Sequence, residues 1–330
     1  MDRRGVVLLT DRAWPDDEIE RRIIEEAGFD LVVGPADPAP KETIEDLVKT
    51  HDPVAIMTCW AQVSSTAIQT PSRLGVVARM GVGLDNIDVA AATERGTLVT
   101  NVPDYCVEEV SDHALGLILD WTRGIARYDR DVRAGRWDPA GARLQRLRSK
   151  TIGIVGYGRI GRATARKCAA LGCRVIVHDP VVDPSADVEF VSWPELLGVA
   201  DAVVLHVPLT PATRHLVGAP ELAAMRDGAL LVNVSRGGLV DTAALVVALD
   251  AGRIAGAALD VLEEEPTVDP ALLAHPNAVI TPHVAFSSDE SVEELRTKAA
   301  QEVVRVLRGQ QPHYPCNTPT VRPATEERVR

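Results

Sequence analysis

Short apolar runs alternate with amphipathic stretches from residue 5 to residue 307, and this alternation restricts the chain to the α/β class. In the first hundred residues the strands fall at 5–9 (GVVLL), 29–33, 53–57, 76–80 and 97–101. Between them, 15–27 predicts a helix with Ile19, Ile23, Ile24 and Ala27 on one face and Gly28 as its stop. Two more helices are predicted at 41–48 and 88–95. Pro103 breaks the last strand; 107–121 then reads as a long helix, and 128–137 as a charge-rich helix or loop. A second block has strands at 151–155, 174–178, 202–207, 229–234, 256–261 and 278–281. These runs are nearly continuous in apolar character, as in strands covered on both faces. A last helix over 291–307 carries Val292, Leu295, Ala299, Val303 and Leu307 at helical spacing. Two such blocks in 330 residues make two parallel-sheet domains, consistent with about 150 residues per domain. No low-complexity linker separates them, so a compact molecule with a cleft is expected.

Composition narrows the function. Apolar residues make up 46% and charged residues 25%, enough apolar surface for packed cores. The net charge of −12 argues against nucleic acid and anionic membranes as partners, and leaves small anionic substrates open. The five cysteines, Cys59, Cys106, Cys168, Cys173 and Cys316, are odd in number and widely spaced. They predict free thiols in a reducing cytoplasm, with no disulfide framework and no metal site. The charged start, Met1 to Gly5, is followed by too short an apolar run for a signal peptide, and no run reaches the ~18 residues of a membrane span. The polar tail 318–330 is expected to be disordered.

Residues 151–179 carry the strongest motif. A strand runs into Gly156-Tyr157-Gly158-Arg159-Ile160-Gly161, a helix is predicted over 162–171, and a second strand ends at Asp179, 18 residues beyond Gly161. In a G-x-G-x-x-G loop the first glycine permits the turn, the second lets the backbone approach a pyrophosphate, and the third brings helix and strand together. The helix amino terminus offers N–H groups to the anion. Asp179 is placed to accept the ribose hydroxyls of NAD and to repel the 2′-phosphate of NADP, and no Lys or Arg lies in 180–193 to hold that phosphate. The alternative reading of Asp179 is a turn cap. The fold expected is therefore α/β, with Rossmann-like domains.

In open α/β sheets ligands bind beyond the carboxyl ends of the strands. Arg236 follows the strand at 229–234, Glu263, Glu264 and Glu265 follow 256–261, and His283 follows 278–281. Such a set suits hydride transfer to a 2-oxo acid. A histidine donates the proton to the developing alkoxide, a glutamate on its other ring nitrogen favours the imidazolium, and an arginine grips the carboxylate. Spacing does not choose among the three glutamates, two of which are expected to be solvated charges. His206 also ends a strand and competes for the acid role.

With these residues in view, the chain resembles the D-isomer-specific 2-hydroxyacid dehydrogenase family over nearly its whole length. The matching blocks are Gly81-Val82-Gly83-Leu84-Asp85-Asn86-Ile87-Asp88, the stretch Asn101 to His113, the glycine loop, Asn233 to Gly238, Asp260 to Pro266, and Thr281-Pro282-His283. The resemblance implies that Glu265 is the catalytic glutamate and His283 the proton donor. It implies carboxylate binding by the N–H groups of Val82 and Gly83, and cofactor contacts at Pro208, Thr213, Val234 and Asp260, the last near the nicotinamide carboxamide. It implies a substrate domain made of 1–102 and 286–330, an NAD domain over 103–285, hinge helices near the crossings, and a homodimer formed through 107–137. Several blocks are most similar to the branch of the C-terminal-binding proteins, NAD(H)-responsive corepressors, although Phe286 stands where those carry tryptophan. Formate dehydrogenases differ by a glutamine at the Glu265 position, and phosphite dehydrogenases by a lysine at the Val82 position.

For the substrate, a small 2-oxo acid such as glyoxylate, hydroxypyruvate or pyruvate is the default. Trp60, in the loop after 53–57, either lines the pocket or packs against a helix. No Lys or Arg occurs in 55–71 to hold a substrate phosphate, and Arg73 and Arg79 are not placed by pattern. The extra regulatory domain of some phosphoglycerate dehydrogenases is not expected. The two functional readings are a working NAD-dependent enzyme and a cofactor-sensing binding protein of the corepressor type.

Overall fold

The structure is a computed structural model and describes residues 5–182, 185 and 187–319. Residues 320–330, most of the tail expected to be disordered, lie outside the described residues. The described residues of Met1–Tyr105 and Ser288–Arg330 form one compact unit, and those of Cys106–Ser287 form a second.

The first unit begins with β1 (Val6–Leu9), α1 (Glu18–Glu26), β2 (Asp30–Val33), α2 (Lys41–His51), β3 (Ala55–Thr58), α3 (Ser65–Gln69), β4 (Val76–Arg79), α4 (Val89–Arg95) and β5 (Leu98–Thr100). The second contains α5 (Val107–Arg123), α6 (Ile125–Arg133), β6 (Thr151–Val155), α7 (Arg159–Ala170), β7 (Arg174–His178), β8 (Glu189–Phe190), α8 (Trp193–Val199) and β9 (Ala202–Leu205). It continues with α9 (Ala219–Ala224), β10 (Leu230–Asn233), α10 (Thr242–Asp250), β11 (Gly256–Leu259), α11 (Pro270–Ala274) and β12 (Ala278–Ile280). The chain returns to the first unit with α12 (Asp289–Leu307).

The first sheet has the order β2-β1-β3-β4-β5 and the second β12-β11-β10-β9-β6-β7-β8. All their ladders are parallel. In each sheet the strand order reverses once, between β1 and β3 and between β6 and β9, and a crevice opens at the carboxyl ends there. Every residue of β3, β4, β9, β10 and β11 is buried, which explains their unbroken apolar runs. Leu8, Ile56, Val77 and Val99 pack with Ile44, Val48 and Ile68 in the first core; Leu205, Leu231 and Leu259 pack with Leu196, Leu245 and Leu272 in the second. Among the described residues no helix is long and apolar enough to cross a membrane.

The predicted strands form, most of them trimmed by one or two residues at an end. β8 and helices α3 and α8 to α11 are additions. α10 (TAALVVALD) has no polar face to mark it as a helix. α7 starts one turn earlier than 162, because Gly158 is its N-cap. The charge-rich segment expected over 128–137 is a helix displaced to Ile125–Arg133, cut from α5 by Gly124 at φ +64°. α1 begins only at Glu18, whose N–H donates to the Asp16 carboxylate, and its fully covered positions are Glu20 and Ile24 rather than a purely apolar stripe.

The buried Glu20 has a partner 276 residues away. Arg296 of α12, also buried, donates to both Glu20 oxygens at 2.8–3.2 Å and to Asp16 at 2.6 Å, and lies over the Trp14 ring. Removing one member of a buried pair strands the other charge. Glu20→Gln is therefore expected to lower stability by about 3 kcal/mol in urea unfolding. A loss below about 1 kcal/mol would mean that Asp16 satisfies Arg296 unaided.

Candidate active site

The second unit holds the glycine loop. β6 delivers the chain to Gly156, at φ +94°, whose N–H donates to the His178 carbonyl at 2.9 Å. A Cβ on Gly161 would lie 2.0 Å from the Gly156 carbonyl oxygen, so only glycine lets α7 sit this close to the turn. Among the described residues Gly158 has no neighbour within 4 Å of where a Cβ would stand, and no side chain caps the helix. The N–H groups around Arg159, Ile160 and Gly161 thus open onto free space at the positive end of a 12-residue helix, which fits a dinucleotide pyrophosphate. The Asp179 carboxylate accepts the Tyr157 N–H at 2.6 Å and the Val181 N–H at 2.7 Å, one on each oxygen. It caps the turn, and a lone pair on each oxygen is left for a ligand hydroxyl. Beyond β9, the Thr213 hydroxyl donates to the Pro208 carbonyl at 2.7 Å and closes that loop, and Val234 is buried after β10.

Arg236, Glu265 and His283 stand beyond β10, β11 and β12. The Glu265 Oε2 meets His283 Nδ1 at 2.8 Å, and its Oε1 accepts the Leu262 N–H at 2.8 Å. Burial pushes the Glu265 carboxyl upward, but the His283 hydrogen bond and charge, the Leu262 N–H and the Arg236 charge outweigh it and hold it below its ordinary value. Arg236 donates to the Ser235 carbonyl at 2.8 Å, and its own carbonyl accepts from Asn233 Nδ2 at 2.8 Å. The loops of Arg236 and Glu265 lie against each other: a Cβ on Gly237 would fall 1.8 Å from the Leu262 carbonyl. Glu263 corrects one expectation. It is no solvated charge but accepts from the Thr242 hydroxyl at 3.0 Å and meets His215 Nε2 at 2.5 Å. Glu264 is exposed.

His283 adopts φ +53°, a left-handed conformation that costs a non-glycine residue about 1 kcal/mol or more. Asp260, 2% exposed, holds it there. Its carbonyl accepts the His283 N–H at 2.8 Å, and its carboxylate accepts the Val284 N–H at 3.0 Å, the Ala285 N–H at 2.8 Å and the Thr281 hydroxyl at 2.5 Å. His206 is a poor proton donor: burial pushes its imidazole down to about 4, and its Nε2 is shielded with no partner among the described residues.

In the first unit, Asp11 follows β1 at the point where the strand order reverses. It is fully buried and accepts the N–H groups of Cys59, Trp60 and Ala61 at 2.7–3.1 Å. Trp60 is half-buried in the loop so fixed. Val82 is 36% exposed, and its carbonyl accepts from Asn101 Nδ2 at 2.8 Å. Among the described residues the N–H groups of Val82 and Gly83 donate to nothing. Arg79 is buried beneath this turn, against Gly81, and no carboxylate lies within 4 Å of it among the described residues. Asp11 was within reach of sequence reasoning. The strand-end rule that finds Arg236 and His283 also names Asp11 when applied to β1. The 3.0 Å contact of His113 of α5 with the Thr281 hydroxyl had no such signal, because it joins residues 168 positions apart.

Known proteins are similar to this chain over most of its length. A family model described as D-isomer specific 2-hydroxyacid dehydrogenase, NAD binding domain, matches residues 115–285. A D-3-phosphoglycerate dehydrogenase from Methanocaldococcus jannaschii is 38% identical over 321 residues, covering 96% of this chain and 60% of that protein. A glyoxylate reductase from Korarchaeum cryptofilum is 37% identical over 310 residues, 91% of this chain and 93% of that one. The solved structure of an NADPH-dependent glyoxylate/hydroxypyruvate reductase from Sinorhizobium meliloti, in complex with NADP and malonate, is 33% identical with a TM-score of 0.83, covering 94% of this chain and 96% of that one. The chain spans about half the length of the phosphoglycerate dehydrogenases it matches.

Proposed function

This chain belongs to the D-isomer specific 2-hydroxyacid dehydrogenase family, and on that footing we propose that it interconverts a small 2-oxo acid and its D-2-hydroxy acid with NAD as cofactor. The observation that carries the reading is the 2.8 Å bond between His283 and a Glu265 whose other oxygen is pinned by the Leu262 N–H. A bound nicotinamide supplies the hydride in reduction and accepts it in oxidation. His283 keeps Nδ1–H on Glu265 and moves the substrate proton at Nε2. Glu265, held below its ordinary value, stays anionic near neutral pH and keeps the Nδ1–H of His283 turned toward it. Arg236 offers a planar fork to the substrate carboxylate and carbonyl oxygen. The unbonded N–H groups of Val82 and Gly83, above the buried charge of Arg79, suit a carboxylate.

The test is NADH consumption with a series of 2-oxo acids, from glyoxylate through branched and aromatic acids to phosphonopyruvate. Turnover with one of them supports the reading and sizes the pocket; NADH binding without any turnover counts against it. His283→Asn is expected to lose about 10²–10⁴-fold in kcat with NADH affinity unchanged. Glu265→Gln removes the anion that faces His283 Nδ1 and is expected to lower kcat about 10- to 100-fold with NADH affinity unchanged; wild-type kcat would take Glu265 out of this role.

For the cofactor, the reading favours NAD on Asp179 and on the lack of Lys or Arg in 180–193, although a relative uses NADPH. Asp179→Ala should weaken NADH and improve NADPH in relative kcat/KM; an unchanged ratio speaks against the ribose assignment. A homodimer through 107–137 is part of the same proposal. Its support is the apolar surface left open on and beside α6, where Ile125 is 62% exposed and Trp137 82%. Light scattering should then give twice the 35.5 kDa chain mass. No observation in the structure favours the corepressor reading.

A further inference from the structure

The turn that carries His283 is fixed from a helix remote from it in sequence. His113 of α5 places Nε2 3.0 Å from the Thr281 Oγ1 and 3.7 Å from the Asp260 Oδ1. The Thr281 hydroxyl has one proton, and it goes to the Asp260 carboxylate at 2.5 Å. The contact with His113 is therefore an Nε2–H donating to Oγ1. It holds the hydroxyl rotor aimed at Asp260. Asp260 in turn accepts the three successive N–H groups of His283, Val284 and Ala285, which define the left-handed turn. The helix presenting His113 is itself clamped. Lys167 of α7 reaches the Ser111 Oγ at 2.7 Å, Glu108 at 2.8 Å and Asp112 at 2.6 Å.

We infer that His113 is a positioning residue for His283, acting through the Thr281 hydroxyl and the Asp260 carboxylate. It touches neither substrate nor cofactor. Its contribution is to keep the imidazole of His283 in the register that its bond to Glu265 requires. Since Asp260 supplies both ends of this arrangement, losing the His113 donor frees the Thr281 hydroxyl to rotate away and loosens the turn without unfolding it. The inference rests on His283 being the acid/base group.

His113→Phe keeps a planar aromatic ring and removes the donor. With the 2-oxo acid that the wild type reduces, kcat is expected to fall about 10- to 100-fold, as for a small misplacement of a reacting group. The KM for the acid and the dissociation constant of NADH should stay near their wild-type values. His113→Gln, whose amide reaches the same hydroxyl, should restore most of kcat, and Thr281→Ser should resemble wild type where Thr281→Val resembles His113→Phe. Wild-type kcat in His113→Phe overturns the inference. So does a His113→Gln variant as slow as His113→Phe, which would mark a purely structural requirement for the imidazole. The ¹⁵N signals of the His283 ring, assigned with His283→Asn, test the relay without turnover. They should shift or broaden in His113→Phe and return in His113→Gln. If the wild type reduces none of the acids, the proposed reaction fails, yet unaltered ring signals in His113→Phe are still needed to refute the relay.

Discussion

A parallel strand covered on both faces leaves room for a polar side chain only at its carboxyl end, as at Thr58, Arg79 and Asn233, and the rest of this structure follows from that. Each of the buried strands β3, β4, β9, β10 and β11 is closed off above and below. Polar chemistry is driven to the first residues past the strand ends, where the backbone leaves the sheet. Asp11, Arg79, Asp179, Arg236, Asp260 and His283 all stand at or just beyond a strand end. The sheets thus decide where ionisable groups can be, and short loops decide what they face.

Those loops are held by carboxylates that accept backbone N–H groups. Asp11 takes three from the Cys59–Ala61 loop, Asp179 two from the glycine turn and the segment after β7, and Asp260 two beyond the His283 turn. Asp11 and Asp260 are buried, and a buried carboxylate satisfied in this way fixes a loop firmly, because each lost bond leaves part of its charge unsatisfied. Glu265 works on the same principle with one oxygen and leaves the other for the imidazole. The rigidity of the site is that of its hydrogen-bonded loops, placed by sheets that take no part in the chemistry.

Much of this was legible beforehand. Alternating apolar runs give both sheets, since burial on two faces leaves an unmistakable trace in β9 to β11. The glycine loop is readable because each glycine answers a local demand, such as the 2.0 Å approach at Gly161. The hidden parts depend on pairing across sequence distance. Spacing cannot distinguish Glu263 from Glu265: both are tied down, one to His215 and Thr242 and the other to His283. Only the family resemblance separated them. α10 stayed hidden because a helix apolar on all sides has no face, and Glu20 because a buried charge contradicts its own pattern until Arg296 is seen.

The pairing of Glu20 with Arg296 also sets an order of events during synthesis. All five strands of the first sheet leave the ribosome by residue 100, but the helix that covers α1 begins at Asp289, and 315–317 joins β5 later still. The second unit, emerging between them, has its complete sheet before the first has its last helix. The nascent first unit must therefore wait with Glu20 facing water and one flank of its sheet uncovered. Within this unit the earlier-made strands complete their packing last, so it is the unit more exposed to misassociation during translation.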